Sequence, residues 1–271
     1  MVEDSERMAT EKVCALCGCE HELQDSHLLP KHFYKYIDMM KRRGTKVQFK
    51  DNKGILTNLR RQITQYLLGA KCEQRFSTRG EDYFSRLIHP KPGEVPAIFR
   101  HLKDLKHSNL YGSEVSNLDA GKLYYFALSI VWRAAQQGWP SYTSISLPAE
   151  DLEYIKQYLL SDGEPRFPPS YCVEISLSLA QSDIWTASFP QTTAHGNVFF
   201  NFANVEFHVI KNPVLFEVYS NPNQGGVPIF FRQNHLRSKR FASSQMKGYE
   251  KAVPTRKVIR LGQSPANHTL P

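Results

Sequence analysis

Residues 13–30 read VCALCGCEHELQDSHLLP, and the cysteines at their start set the expectation for the fold. Cys14 and Cys17 are separated by two residues and followed by Gly18, a spacing at which a reversing chain presents two thiols to one point. Gly18 permits the positive φ that such a turn demands. The rest of the stretch, to Pro30, reads as a short extended return. Cys72, at an expected helix start, is the third candidate ligand. A second Cys-x-x-Cys would place its other member at position 69, which is Gly69, so Cys19, His21 or water is left for the fourth place. Thiolates on short turn-held spacers suit structural Zn²⁺, and a redox or simply buried cysteine pair is the competing reading.

Outward from this motif, Phe33, Tyr34 and Ile37 recur at helical spacing, and Asp51-Asn52-Lys53-Gly54 signals a turn. Ile55, Leu59, Ile63, Tyr66 and Leu67 trace one face of a helix that Gly69 ends or interrupts. A further amphipathic stretch carries Cys72, Phe76, Tyr83, Phe84 and Leu87, with Gly80 inside it. The three prolines of His89–Pro96 mark a boundary. Leu118–Gln137 reads as a buried helix, and Pro148-Ala149-Glu150-Asp151 opens another through Leu160, with acids in the first turn where the dipole favours them. After Phe167-Pro168-Pro169 the period changes to two. Tyr171–Leu179 predicts a half-buried strand, and further strands are expected at Ile184–Phe189, Val198–Phe202, Val205–Ile210, Leu215–Tyr219 and Val227–Phe231. The expected class is α+β: a cysteine-bearing unit over 13–90, central helices and an antiparallel β-unit over 98–231, a disordered 1–12 and a basic tail over 232–271.

Composition narrows the function. With 271 residues, 41% hydrophobic and 12% aromatic, the chain can bury a core. No apolar run approaches the roughly 18–20 residues of a membrane-spanning helix, and the first residues lack a signal-peptide pattern, so a cytoplasmic protein without membrane contact is expected. Phosphate-loop, nucleophile-elbow and dinucleotide motifs are missing from the sequence. The net charge of +8 is concentrated. Lys31–Arg61 and Arg232–Arg260 each carry a net +8, so the remainder is acidic. Two basic blocks favour a polyanionic partner, with Lys31, Lys35, Arg42, Arg43, Arg60, Arg61, Arg237, Lys239 and Arg240 as candidate nucleic-acid contacts.

The order Cys14-x-x-Cys17, Ser26-His27-Leu28-Leu29-Pro30-Lys31, then Leu67-Leu68-Gly69-Ala70-Lys71-Cys72-Glu73 resembles the His-Asn-His (HNH) nucleases, and more closely a little-characterised bacterial branch of them, over about a third of the chain. The resemblance implies a treble-clef zinc fold carrying a ββα-metal site, and a nuclease acting on DNA before RNA. It assigns His27 as the base that activates water and Glu73 as a ligand of Mg²⁺ or Mn²⁺. The residue before the histidine, an acid or histidine in those enzymes, is Ser26 here, with Asp25 one place earlier. Their middle asparagine has only Asn58 as a distant candidate. These departures keep a second reading open: a catalytically degenerate module binding nucleic acid or protein, a homodimer, or a subunit of a larger complex.

Glu81 and Asp82 read as a solvated helix face, Trp132-Arg133 as core packing, and the remaining histidines fall in no ligand spacing. Nothing in residues 98–231 stands out as a chemical constellation.

Overall fold

The computed structural model describes residues 13–19, 22–42, 46–50, 55–57, 62–90, 94–103, 109–111, 117–162, 166–177, 184–193, 195–220, 226–232, 253–254 and 258–260. Two sheets and a set of helices make a mixed α+β architecture. A small hairpin pairs β1 (Leu23–His27) antiparallel with β4 (Thr64–Gly69), and α2 (Ala70–Phe76) follows β4 directly. Between the two hairpin strands lie α1 (Lys31–Arg42), β2 (Lys46–Lys50) and β3 (Ile55–Thr57).

Strands β2 and β3 do not stay with the hairpin. They join a ten-stranded sheet with β5 (Asn109–Tyr111), β6 (Tyr171–Leu177), β7 (Ile184–Thr192), β8 (Val198–Phe202), β9 (Val205–Lys211), β10 (Ile229–Arg232), β11 (Val253–Pro254) and β12 (Val258–Arg260). Its order is β11-β12-β3-β2-β7-β8-β9-β6-β10-β5. The expected antiparallel unit is corrected to a mixed sheet, because β2 runs parallel to β7 and β10 parallel to β6. Both pairings join strands distant in sequence, which local periodicity does not encode.

α2 continues through a π-helical turn (Ser77–Glu81) into α3 (Asp82–Ile88), and α4 (Ala97–Lys103) follows. The central helix α5 (Ala120–Ala135) is buried from Leu123 to Ala134, as its nearly all-round apolar sequence predicts, and Asp119 caps it by accepting from the Lys122 amide at 2.9 Å. α6 (Ala149–Leu160) begins where the acidic first turn predicts. Aromatic rings knit these layers. Phe84 of α3 stacks on Phe126 of α5 at 4.4 Å, Phe126 meets Phe207 of β9 at 5.4 Å, and Phe33 of α1 meets Phe202 of β8 at 4.6 Å. Each such buried ring contributes about 2–3 kcal/mol of apolar burial. They tie the helices around the hairpin to the large sheet in one core.

Three further expectations are corrected. The predicted helix through Ile55, Ile63 and Leu67 is instead β3 and β4. A short apolar run fits both periods, and pairing with β1 and β2 decides it. Leu215–Tyr219 lies in helix α7 (Pro213–Ser220), which Asn212 starts by accepting from the Leu215 amide at 3.0 Å ahead of Pro213. β6 is buried on both faces rather than one: Val173 and Ile175 enter the main core, while Cys172 packs with Tyr219 of α7 and Phe230 of β10. Among the described residues no helix is long and apolar enough to cross a membrane.

Candidate functional site

The N-terminal loop closes on itself through two backbone bonds of 2.9 Å, Cys14 N to Cys19 O and Gly18 N to Cys14 O, with Gly18 at φ +73°. Ala15 N donates to Leu67 O at 3.0 Å and docks the loop on β4. Three residues beyond the end of β4, Cys72 turns inward from the first turn of α2. The sulfurs of Cys14, Cys17 and Cys72 all lie within 4.8 Å of one another, with Cys14 and Cys72 buried and Cys17 half-buried. Thiolates about 2.3 Å from one zinc ion sit less than 5 Å apart, so these three fit three corners of a tetrahedron. The group could hold a metal ion such as zinc. Burial pushes the Cys72 thiol up, and the neighbouring Cys14 and Cys17 sulfurs add to the rise, so an incoming cation must displace protons to bind. Cys19 is exposed, with its thiol against the Cys17 carbonyl at 3.8 Å, and it stays outside the cluster. His21 lies outside the described residues.

Ser26, His27 and Asp25 share β1 but face differently. Ser26 is wholly buried, and its Oγ accepts from the Leu68 amide at 3.1 Å, so that hydroxyl serves the hairpin. Asp25 is exposed opposite Tyr66, and His27 stands opposite Thr64, two residues along the same face. His27 Nε2 is hydrogen-bonded to Gln62 Oε1. A carboxamide oxygen only accepts, so this contact suits the tautomer with the proton on Nε2. The ring leans toward Tyr34 at 6.2 Å. The Tyr34 hydroxyl accepts from the Ile63 amide at 3.1 Å, and burial pushes its pKa up to about 12. Gln62 is a contact that the sequence did not single out. It reaches His27 only because β1 and β4 pair, and Asn58 lies outside the described residues.

Glu73 is half-buried on α2, and its buried Oε1 has no hydrogen-bond partner among the described residues. Apart from the three cysteines, no group of three or more His, Cys, Asp or Glu ligand atoms converges among the described residues, so His27, Glu73 and Asp25 are not gathered into a ready-made ligand set.

Glu81 is not on a solvated face. Its carboxylate is ion-paired with the Arg133 guanidinium, whose side chain is 1% exposed. Burial pushes the Glu81 carboxyl up, against the pull of Arg133. Arg133 also donates from Nη1 to the His27 carbonyl at 2.8 Å, and its guanidinium lies over the Phe76 ring at 5.1 Å. An arginine inside an apolar helix needs a buried acid, a signal that could have linked it to Glu81. Gly80 makes the approach possible, since a Cβ there would stand 2.9 Å from the Phe126 backbone. Asp82 does lie nearer solvent, accepting from Ser77 Oγ at 3.0 Å and 3.4 Å from His32.

Of the basic residues, Lys31, Lys35 and Arg42 occupy one exposed stripe of α1 together with Asp38. Arg43, Arg60, Arg61, Arg237, Lys239 and Arg240 lie outside the described residues. The two basic blocks do meet along the backbone, because β12 pairs antiparallel with β3, Arg260 opposite Ile55. In the large sheet, Arg232 is paired with Glu174 at 3.0 Å, and the buried Glu206 faces Ser176 at 3.4 Å and His208 at 3.8 Å. Comparison with family models, curated proteins and solved structures finds no match to the chain.

Proposed function

We propose that β1, β4 and α2 form the ββα unit of a zinc-supported, treble-clef nuclease site of the HNH kind, acting on nucleic-acid phosphodiesters, DNA in preference to RNA. The observation that carries this reading is the convergence of Cys14, Cys17 and Cys72, which pins the start of α2, and so Glu73, against the hairpin that ends in His27. Zinc on these thiolates would be structural, closing the knuckle onto the helix. His27 is the general base. With its proton on Nε2 held by Gln62, Nδ1 accepts a proton from water, and the Gln62 oxygen stabilises the imidazolium that forms. Gln62 thereby takes the orienting part for which the sequence offered only Asn58. Mg²⁺ or Mn²⁺, when bound, would neutralise the phosphate and polarise the attacked phosphorus. The unpartnered Glu73 oxygen suits such a hard cation, and Asp25, on the same face of β1 as His27, is the second candidate carboxylate. The α1 stripe of Lys31, Lys35 and Arg42 starts just after the site and suits a phosphate backbone.

The test is incubation of the protein with plasmid DNA and with RNA at low salt in Mg²⁺ and in Mn²⁺. Cleavage by the wild type, lost in His27→Ala while binding remains, is expected. A second reading, a non-cleaving nucleic-acid-binding module, draws on the commitment of Ser26 to Leu68 and the scattered carboxylates. Salt-sensitive binding without cleavage in any metal would favour it and overturn the first.

A further inference from the structure

Arg133 reaches both halves of the proposed site. It sits in α5, 106 positions from His27 and 52 from Glu81, and is shielded from solvent. Its donors divide between three partners: Nε to the Ser129 carbonyl at 3.4 Å, Nη1 to the His27 carbonyl at 2.8 Å, and Nη2 to the Glu81 carboxylate. The His27 carbonyl is the last of β1, where the strand gives way to the loop leading into α1. Glu81 belongs to the π turn that continues α2, the helix carrying Cys72 and Glu73. A guanidinium is a planar fork of fixed width, so a group bonded to one tine is held in register with a group bonded to another.

We infer that Arg133, clamped by Glu81, is a positioning residue that fixes His27 relative to the helix carrying Glu73. The inference rests on the reading of His27 as the base of a nuclease. A buried ion pair is a poor source of stability, since apolar residues of similar volume do as well or better in its place. α5 is otherwise apolar through its buried stretch except for Ser129, so packing alone gives no reason for a cation there. Geometry does, because displacing a catalytic group by about 1 Å costs on the order of 100-fold in rate. Arg133 is too buried to touch substrate and acts only through the backbone of His27.

The experiment compares the full-length, zinc-loaded wild type with Arg133→Met, Arg133→Lys and the double variant Arg133→Met/Glu81→Met. Melting temperature, kcat and KM for metal-dependent DNA cleavage, and the ¹⁵N NMR signature of the His27 ring are read in each. Arg133→Met strands the Glu81 charge and melts lower. The double variant removes both charges and recovers its melting temperature. In that stable double variant kcat is expected to remain about 30- to 100-fold down with KM within about threefold, and the hydrogen-bonded Nε2–H signal of His27 to be lost or moved. Arg133→Lys, which keeps a donor for the carbonyl, recovers part of kcat. Recovery of kcat to within about threefold of wild type together with stability would show that the pair only supports the fold, and would overturn the inference. If the wild type does not cleave, the nuclease reading fails on its own. The His27 ring signal then decides alone: unchanged in the stable double variant, it overturns the positioning role, and displaced, it supports it.

Discussion

Ser26 Oγ accepts the Leu68 amide proton at 3.1 Å across the hairpin, and Ser26 has no exposed surface. The serine at the place where HNH enzymes carry an acid or histidine is therefore a hairpin residue in this chain. Ser26→Ala leaves a buried amide without its acceptor and is expected to cost about 1–3 kcal/mol. Ser26→Asp, the substitution that sequence analogy recommends for restoring a metal ligand, places a carboxylate in a closed space. A lower melting temperature than Ser26→Ala, with no gain in cleavage, is expected from thermal denaturation and a plasmid assay.

The three-thiol cluster leaves one corner of the tetrahedron to a ligand outside the set. Gly69 stands at φ −72° and ψ 158°, an extended conformation open to any residue, so Gly69→Cys adds a thiol without backbone strain. Metal analysis should find one zinc per chain in the wild type, none in Cys72→Ser, and at least tenfold tighter retention against a chelator in Gly69→Cys. Zinc binding unaltered by Cys72→Ser would disprove the assignment.

Gly80 reverses the usual rule for helices. Replacing an exposed helical glycine by alanine normally stabilises by about 1 kcal/mol, yet a Cβ here meets the Cα and N of Phe126 at 2.9 Å, and backbone cannot swing aside. Gly80→Ala is expected to destabilise by about 1–3 kcal/mol in denaturant unfolding and to push Glu81 away from Arg133, lowering any cleavage in parallel.

Alkaline pH should unfold the protein through its tyrosines. Burial raises the pKa of Tyr34 to about 12 and lifts Tyr124, Tyr125, Tyr142, Tyr158 and Tyr171 above the usual tyrosine range. Between the ordinary value near 10 and these raised values the unfolded chain has lost protons that the folded chain keeps, so stability falls as pH rises. The stabilisation is complete below pH about 10 and is lost progressively through about 12 and beyond. Absorbance titration should show the exposed tyrosines ionising first and the buried group only as the fold collapses.

Much of the helical frame was legible because it obeys local rules. The apolar run from Leu123 to Ala134 and the acidic first turn of α6 each contain the reason for their own helix. Cys14 and Cys17 were legible as a pair from their spacing and Cys72 as the cysteine at an expected helix start, while Cys19, offered for the fourth place, stands outside the cluster. Illegible were the features that depend on a distant partner. β4 became a strand because β1 was there to pair with it, and Gln62 reached His27 for the same reason. Glu81 looked solvated because its helix face cannot announce an arginine 52 residues away. α7 was a different kind of miss, since Asn212-Pro213 is a local helix start that the alternating apolar pattern masked.

Strand β2 leaves the hairpin after His27 and is sewn between β3 and β7 before the chain comes back at Thr64. For folding kinetics, this means that the hairpin presenting His27 closes around a segment whose own partner, Ile184–Ser188, is far along the chain. Pairings of such high contact order form slowly, because the loop entropy they cost comes before the contacts they gain. Refolding should therefore be slow for the chain's size, with metal capture by the cysteines completed only after the large sheet has assembled.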